Sequence, residues 1–213
     1  MAQSVKAIEI EVVSDVICPW CFLGKRRLDK AIALLDDIKV EVNWRPFFLD
    51  PTIPKEGMSR LSYMESKFGA ERLKTIHDPL IAAGKEDGVP YEFDKITRTP
   101  NTLDAHRLIR WSHVSGKQHD VAERLFMAYW NGGLDVGEHT VLLKIAGETG
   151  MDVADVSEKL KSDTDVDAVN AEVDHAYRMG VTGVPCFIFA KKQGLMGAQP
   201  AEQLAAVIRS LAT

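Results

Sequence analysis

The chain opens on an alternating run, Ile8-Glu9-Ile10-Glu11-Val12-Val13, whose period of two predicts a β-strand. Ser14-Asp15 ends that run. From Phe22 to Leu35 the period lengthens, and Leu28, Ile32 and Leu35 fall at i, i+4 and i+7, the stripe of a helix with one buried face. Asp36-Asp37 closes it. Lys39–Arg45 then alternates again, with Val40, Val42 and Trp44 on one side, and predicts a second strand. Strand, helix and strand make a βαβ unit, whose strands are expected to be parallel and whose crossover right-handed.

Residues 46–58 hold Pro46, Pro51, Pro54 and Gly57 and predict a loop leaving the sheet. From Ser59 to about Gly180 the pattern is almost wholly helical. Val121, Leu125 and Tyr129 mark one helix and Val141, Leu142 and Ile145 another. Asp152 is placed to cap a helix carrying Val153, Val156 and Leu160. Val166, Val169, Val173 and Ala176 form a last stripe, stopped at Gly180. Cys186-Phe187-Ile188-Phe189-Ala190 is a continuous apolar run suited to a central strand. Lys191–Gln193 predicts a tight turn, Gly194–Ala198 a final strand, and Ala201–Leu211 a closing helix with Leu204, Val207, Ile208 and Leu211 inward. The order is βαβ, a helical insertion, then ββα. Residues 1–58 and 181–213 are read as one discontinuous α/β domain and residues 59–180 as an insertion subdomain.

Composition narrows the function. The 213 residues are 46% hydrophobic and 27% charged, with a formal net charge of −5, which disfavours a nucleic-acid partner. The one short basic cluster, Lys25-Arg26-Arg27, is expected on the solvated face of the first helix. No targeting segment and no run of about 20 apolar residues is visible, so no membrane role and a cytoplasmic location are expected. Three cysteines are too few for a disulfide scaffold.

Two of them stand as Cys18-Pro19-Trp20-Cys21 at the predicted strand-to-helix junction. Two thiols at this spacing can close a small disulfide ring. The first sits where free backbone N–H groups and the helix dipole favour a thiolate, the species that attacks disulfides. Cys18 is therefore expected to be an exposed nucleophile, and Cys21, one turn further in, a more buried resolving thiol. A zinc site needs about four ligands, and no second pair of cysteines or close histidine pair supplies them, so no metal is expected. Pro19 suits the first helical turn, where its missing N–H costs little. Trp20 either shields the sulfurs, offers an aromatic surface to substrate or packs into the core.

The Cys18–Cys21 motif, the Gly183-Val184-Pro185 turn before an apolar strand and the helical insertion between them resemble the DsbA-type branch of the thioredoxin superfamily. Ser14-Asp15-Val16-Ile17 before the motif, Pro46-Phe47-Phe48-Leu49, Thr99-Pro100-Asn101-Thr102 with Ala105-His106-Arg107, Gly180-Val181-Thr182-Gly183-Val184-Pro185 and Gly197-Ala198-Gln199-Pro200 are similar to its FrnE-like members. The resemblance runs nearly end to end. It implies a thioredoxin fold and thiol–disulfide oxidoreductase activity, with a disulfide-containing protein or a low-molecular-weight thiol as partner. It also implies a cis-proline at Pro185 and a Val184 backbone beside Cys18, open to substrate. Relatives of this kind can dimerise. The same group includes 2-hydroxychromene-2-carboxylate isomerases and kappa-type glutathione transferases, which carry serine at the position of Cys18. A glutathione-dependent isomerase or transferase is thus one alternative, and a chaperone-like binding module a second. No tightly bound cofactor is expected; glutathione is expected as a co-substrate at most.

Further residues have two readings each. Asp15 either assists proton transfer at Cys21 and shapes the substrate site, or ends the strand by holding backbone N–H groups. Asn101 and His106 either face the cleft or serve packing. Gln199 either contacts substrate or shapes a turn. Cys186, directly after Pro185, is either a redox-active or regulatory third thiol or a small buried side chain in a central strand.

Overall fold

The computed structural model describes residues 6–213, the Lys74 side chain excepted. The first strand, β1, covers Lys6–Ser14, and helix α1 follows at Pro19–Ala33. β2 spans Ile38–Pro46 and pairs in parallel with β1. After the long insertion come β5 (Cys186–Phe189), β6 (Gln193–Met196) and α9 (Ala201–Leu211). The sheet order is β2-β1-β5-β6, with β5 antiparallel to both neighbours. This is the βαβ…ββα order read from the sequence, in the thioredoxin arrangement that the family resemblance implied.

The alternation along β1 sets the two faces. Ile8, Ile10 and Val12 enter the main core with Phe22, Leu23 and Leu28 of α1 and with Phe187 and Phe189. Val13, one residue out of step, packs on the other face with Phe47, Ala176, Val181 and Cys186. Helix α1 begins three residues before the apolar stripe suggested, because Pro19 opens its first turn. It ends at Ala33, so Leu35 is buried from outside the helix. The tight turn falls at Ala190 and Lys191, both with positive φ, which leaves Gln193 free to begin β6.

The insertion is helical apart from one correction. Met58–Ser59 (β3) and Arg98–Thr99 (β4) form a two-residue antiparallel pair at its root. Between and after them lie α2 (Arg60–Phe68), α3 (Asp78–Asp87), α4 (Leu103–Trp111), α5 (Gln118–Trp130), α6 (His139–Glu148), α7 (Val153–Leu160) and α8 (Val166–Arg178). Asp152 caps α7 by accepting from the Ala154 and Asp155 N–H groups, and Gly180 takes φ +82 just past α8. Val153 is exposed, since only Val156 and Leu160 of that stripe face inward. Leu108, Val121, Leu125, Phe126 and Trp130 share one continuous core with α1 and β2. No helix among the described residues is long and apolar enough to cross a membrane.

The basic cluster of α1 is not a solvated face. Lys25 is 3% exposed, and its Nζ lies 2.9 Å from Asp29 Oδ2 and 3.0 Å from Glu123 Oε2 on α5. Arg26 also pairs with Glu123. Arg27 and Lys30 both reach Asp87, the last residue of α3. His119 completes the cluster: its Nδ1 accepts from Trp44 Nε1 at 3.3 Å, and its Nε2 donates to Asp29 at 2.6 Å. These charges are partly buried because the insertion folds back over α1 and brings matching carboxylates.

Removing both carboxylates, by Asp29→Ala with Glu123→Ala, is expected to cost about 3 kcal/mol in urea unfolding, because it leaves Lys25 buried and unpaired. Lys25→Met, which removes the buried charge itself, is expected to cost less. Asp87 shows the acid consequence. Burial alone raises its pKa, but hydrogen bonds from Lys30 and Arg27 outweigh burial and hold it below its ordinary 3.8. A depressed carboxylate contributes fully above its unfolded pKa of about 3.9 and loses that contribution as pH falls through the lower folded value. Thermal midpoints measured from pH 6 down to about pH 2 are expected to fall less steeply in Asp87→Asn than in the parent chain.

Candidate active site

The site forms where β1 ends, α1 begins and β5 starts. Cys18 is the N-cap of α1, in extended conformation with φ −90 and ψ 114; its N–H donates to Asp15 O at 3.1 Å, and Cys21 N–H returns to Cys18 O at 3.0 Å. No acidic side chain lies in the first turn, so the positive end of the helix acts on Cys18 without compensation. Cys18 is not exposed as expected. Only 3% of its surface is accessible, because the Val184–Pro185 turn lies over it, and its Sγ donates to Val184 O at 3.6 Å. Trp20 is the exposed member of the motif, at 40%. Cys21 is buried beneath. Burial pushes its thiol well up, and the adjoining Cys18 sulfur adds to the shift, while the Ser14 hydroxyl and the Asp15 backbone act in the opposite direction.

The Val184–Pro185 bond is cis. Two contacts fix its position. Gly197 N–H donates to Pro185 O at 2.7 Å, which anchors the turn to the segment after β6. On the other side α1 comes close at Gly24, where a Cβ would stand 2.9 Å from Pro185 Cγ and 3.2 Å from Phe187 Cζ. Only glycine lets the helix approach so closely.

The loop between β1 and α1 is held from the insertion. Trp130 Nε1 donates to Val16 O at 2.9 Å, and the Tyr91 hydroxyl donates to Pro19 O at 2.6 Å. Tyr91 packs edge-on against Phe22 and Trp130. Burial, followed by the Cys18 and Cys21 sulfurs, drives its phenol far above the ordinary value, so it remains a hydrogen-bond donor. Gly24, Tyr91 and Trp130 escaped the sequence reading. A glycine inside a helical stripe was the one available signal for Gly24. Nothing local marks Tyr91 or Trp130, which arrive from 70 or more positions away.

The remaining residues divide between the site and its supports. Asp15 is 1% exposed; its carboxylate accepts from Leu49 N–H at 2.7 Å and from Ile17 N–H at 3.5 Å. His106, also buried, donates from Nε2 to Phe47 O at 3.1 Å and lies 3.5 Å from Asp15 Oδ1. Together they pin the loop after β2. Asn101 donates to Ile53 O and accepts from Leu103 N–H at the start of α4. Gln199 donates to Met196 O within the turn before α9. Cys186 lies on the sheet face opposite α1, among Val13, Phe47, Ala176 and Val181, and burial alone raises its thiol. That position fits a small packed side chain and directs its sulfur away from the face of β1 that α1 covers. No group of three or more His, Cys, Asp or Glu side chains able to hold a metal occurs among the described residues.

A thioredoxin sheet, paired cysteines at a helix N-terminus and a proline turn laid over the first sulfur define a protein of the thiol–disulfide oxidoreductase type. The DSBA-like thioredoxin domain matches residues 9–209, and the chain belongs to that family. It is 30% identical over 182 residues to the uncharacterized protein YwbO of Bacillus subtilis (strain 168), covering 85% of this chain and 86% of that one. Among solved structures, the probable DsbA oxidoreductase SCO1869 of Streptomyces coelicolor superposes with a TM-score of 0.86 at 28% identity, over 96% of this chain and 89% of its own. A 2-hydroxychromene-2-carboxylate isomerase gives 0.73 at 15% identity, over 95% of each chain. The cytosolic disulfide reductase DsbM of Pseudomonas aeruginosa with GSH gives 0.68 at 16%, over 95% of this chain and 98% of its own. The fold therefore spans oxidoreductases and an isomerase, and the residues of the site must separate them.

Gly24→Ala tests the close approach. Alanine favours a helix by about 1 kcal/mol over glycine, but overpacking against the rigid Pro185 ring costs about 1–3 kcal/mol. Net destabilisation in urea and slower disulfide reduction are expected together.

Proposed function

We propose that the chain reduces or isomerises disulfides through Cys18 as nucleophile and Cys21 as resolving thiol. The observation that carries this reading is the setting of Cys18: an N-cap thiol on an uncompensated helix end, beside the Val184 carbonyl, with a second thiol sealed beneath it. The Cys18 thiolate attacks one sulfur of the substrate disulfide, and the other sulfur leaves as a thiol after taking a proton. Cys21 then attacks Cys18 Sγ and expels the second substrate thiol. Two electrons pass from the dithiol to the substrate, and the protein is left with a Cys18–Cys21 disulfide.

A disulfide-bearing protein or a small thiol such as glutathione is the partner in this reading. DsbM, a reductase of the same fold seen with GSH, supports glutathione as the resetting thiol. In a cytoplasm poised to keep thiols reduced, the pair rests as a dithiol and works as a reductase or isomerase. Backbone at the Val184–Pro185 turn and the exposed Trp20 ring offer the incoming chain one polar and one apolar contact.

Insulin reduction with glutathione as electron donor checks the reading. Cys18→Ser is expected to lose about 10³-fold or more in rate. Cys21→Ser is expected to stall as a mixed disulfide on Cys18, visible by mass spectrometry. Isomerase turnover on a chromene carboxylate surviving undiminished in Cys18→Ser, with no insulin reduction by the parent chain, would overturn it.

A further inference from the structure

We propose that the free edge of β2 is where two copies of this chain join, strand against strand across a two-fold axis. This interface stands on the sheet alone and does not depend on the chemistry of Cys18.

β2 ends the sheet order β2-β1-β5-β6, so its outer side carries no further strand among the described residues. Trp44 fixes which backbone groups face outward. Its N–H donates to Gln118 Oε1 of α5 at 3.1 Å, and Gln118 Nε2 donates to Trp44 O at 3.5 Å. Phe47 N–H, three residues on, turns the other way, to Ser14 O of β1 at 3.0 Å. Alternation therefore turns Ile38, Val40 and Val42 outward with Trp44. Ile38 N–H is taken by Leu35 O at 3.2 Å. The Ile38 C=O and both backbone groups of Val40 and of Val42 have no partner among the described residues. A groove of about 540 Å³ runs along Lys39–Asn43, and Gln118 bounds it where it bonds Trp44.

The side chains make this stretch complementary to itself. Val40 and Val42 pack on the main core, while Lys39 and Glu41 are exposed and without an ion-pair partner among the described residues. Isolated charges guard an edge against pairing. Opposite charges two residues apart do the reverse in one register. Antiparallel pairing centred on Val40 sets Lys39 of each copy directly across from Glu41 of the other, in the closely spaced positions where side chains meet. Each Val40 N–H then donates to Val40 O of the second copy, and each Val42 N–H to Ile38 O.

The neighbouring registers fail on observed contacts. Centring on Glu41 or on Lys39 sets like charges face to face. Centring on Val42 requires Trp44, which Gln118 already occupies. Centring on Ile38 requires the N–H that Leu35 holds. The remaining register closes on itself, as a two-fold contact between identical chains must. A second copy is thus the occupant that the charges select.

Sedimentation velocity on the full chain, from about 1 to 200 µM, reads the association directly. The parent is expected to move from the mass of one chain toward that of two. Val40→Pro is expected to stay single: the N–H it removes points away from β1, so the sheet keeps its bonds while the ring blocks the second strand. Lys39→Glu and Glu41→Lys, which each set like charges across both pairs, are expected to weaken the dimer about 10-fold or more. The double variant, with the charges exchanged, is expected to return to within about 3-fold of the parent. A parent that stays single throughout would overturn the interface. So would a dimer that persists in Val40→Pro, which places the contact elsewhere, or a double variant no tighter than the single ones. If Val40→Pro loses its far-UV circular dichroism, the charge exchange alone decides.

Discussion

The site depends on the close contact between α1 and the proline turn at Gly24. β1 aims α1 across the sheet, β5 delivers Pro185, and the missing side chain at Gly24 lets the two meet at van der Waals distance. Every feature of the thiol pair follows from that contact. Cys18 lies under Val184 because α1 is close, Cys21 is buried because the helix is seated, and the N-terminal dipole points at the same sulfur that the turn covers. A helix standing further out would lose its packing against the proline ring and leave both sulfurs less well covered.

Much of the framework was legible in order. Alternation identified β1 and β2, the apolar run found β5, and the last helix has the bounds its stripe suggested, because each element buries one face against a single sheet. The thiols themselves were legible as a local motif. What was not legible depends on contacts between distant segments. Nothing near Lys25-Arg26-Arg27 tells that Glu123 and Asp87 come to meet it, so an ordinary basic stripe was indistinguishable from a partly buried ionic cluster. Cys18 looked exposed for the same reason: the turn that covers it lies 166 positions away. Asp15 illustrates a third kind of ambiguity. Its place in the sequence admits a proton carrier or a backbone anchor, and only the Leu49 and Ile17 amides show how its oxygens are engaged.

The supporting shell is polar but organised around backbone groups. Trp130 holds Val16, Tyr91 holds Pro19, His106 holds Phe47 and Asp15 holds Leu49. Each is a side chain from outside the cysteine turn, or just before it, that fixes a loop carbonyl or amide. Such bonds are individually worth about 1 kcal/mol, yet together they leave the loops around the sulfurs few alternative arrangements. A redox site gains from this, since the sulfur geometry is set by the frame and not by which partner is docked.

The ionic row along α1 has an architectural consequence. Four of its cations, Lys25, Arg26, Arg27 and Lys30, find counter-charges on α5 and α3, helices that belong to the insertion. The sheet and the helical segment are therefore not a machine with a detachable cover. Excising the insertion would strip α1 of Glu123 and Asp87, leaving like charges crowded on the very helix that carries the sulfurs. A charge removed from one part leaves its partner on the other unpaired, so a helical segment grafted onto this sheet would have to carry both acids to satisfy α1.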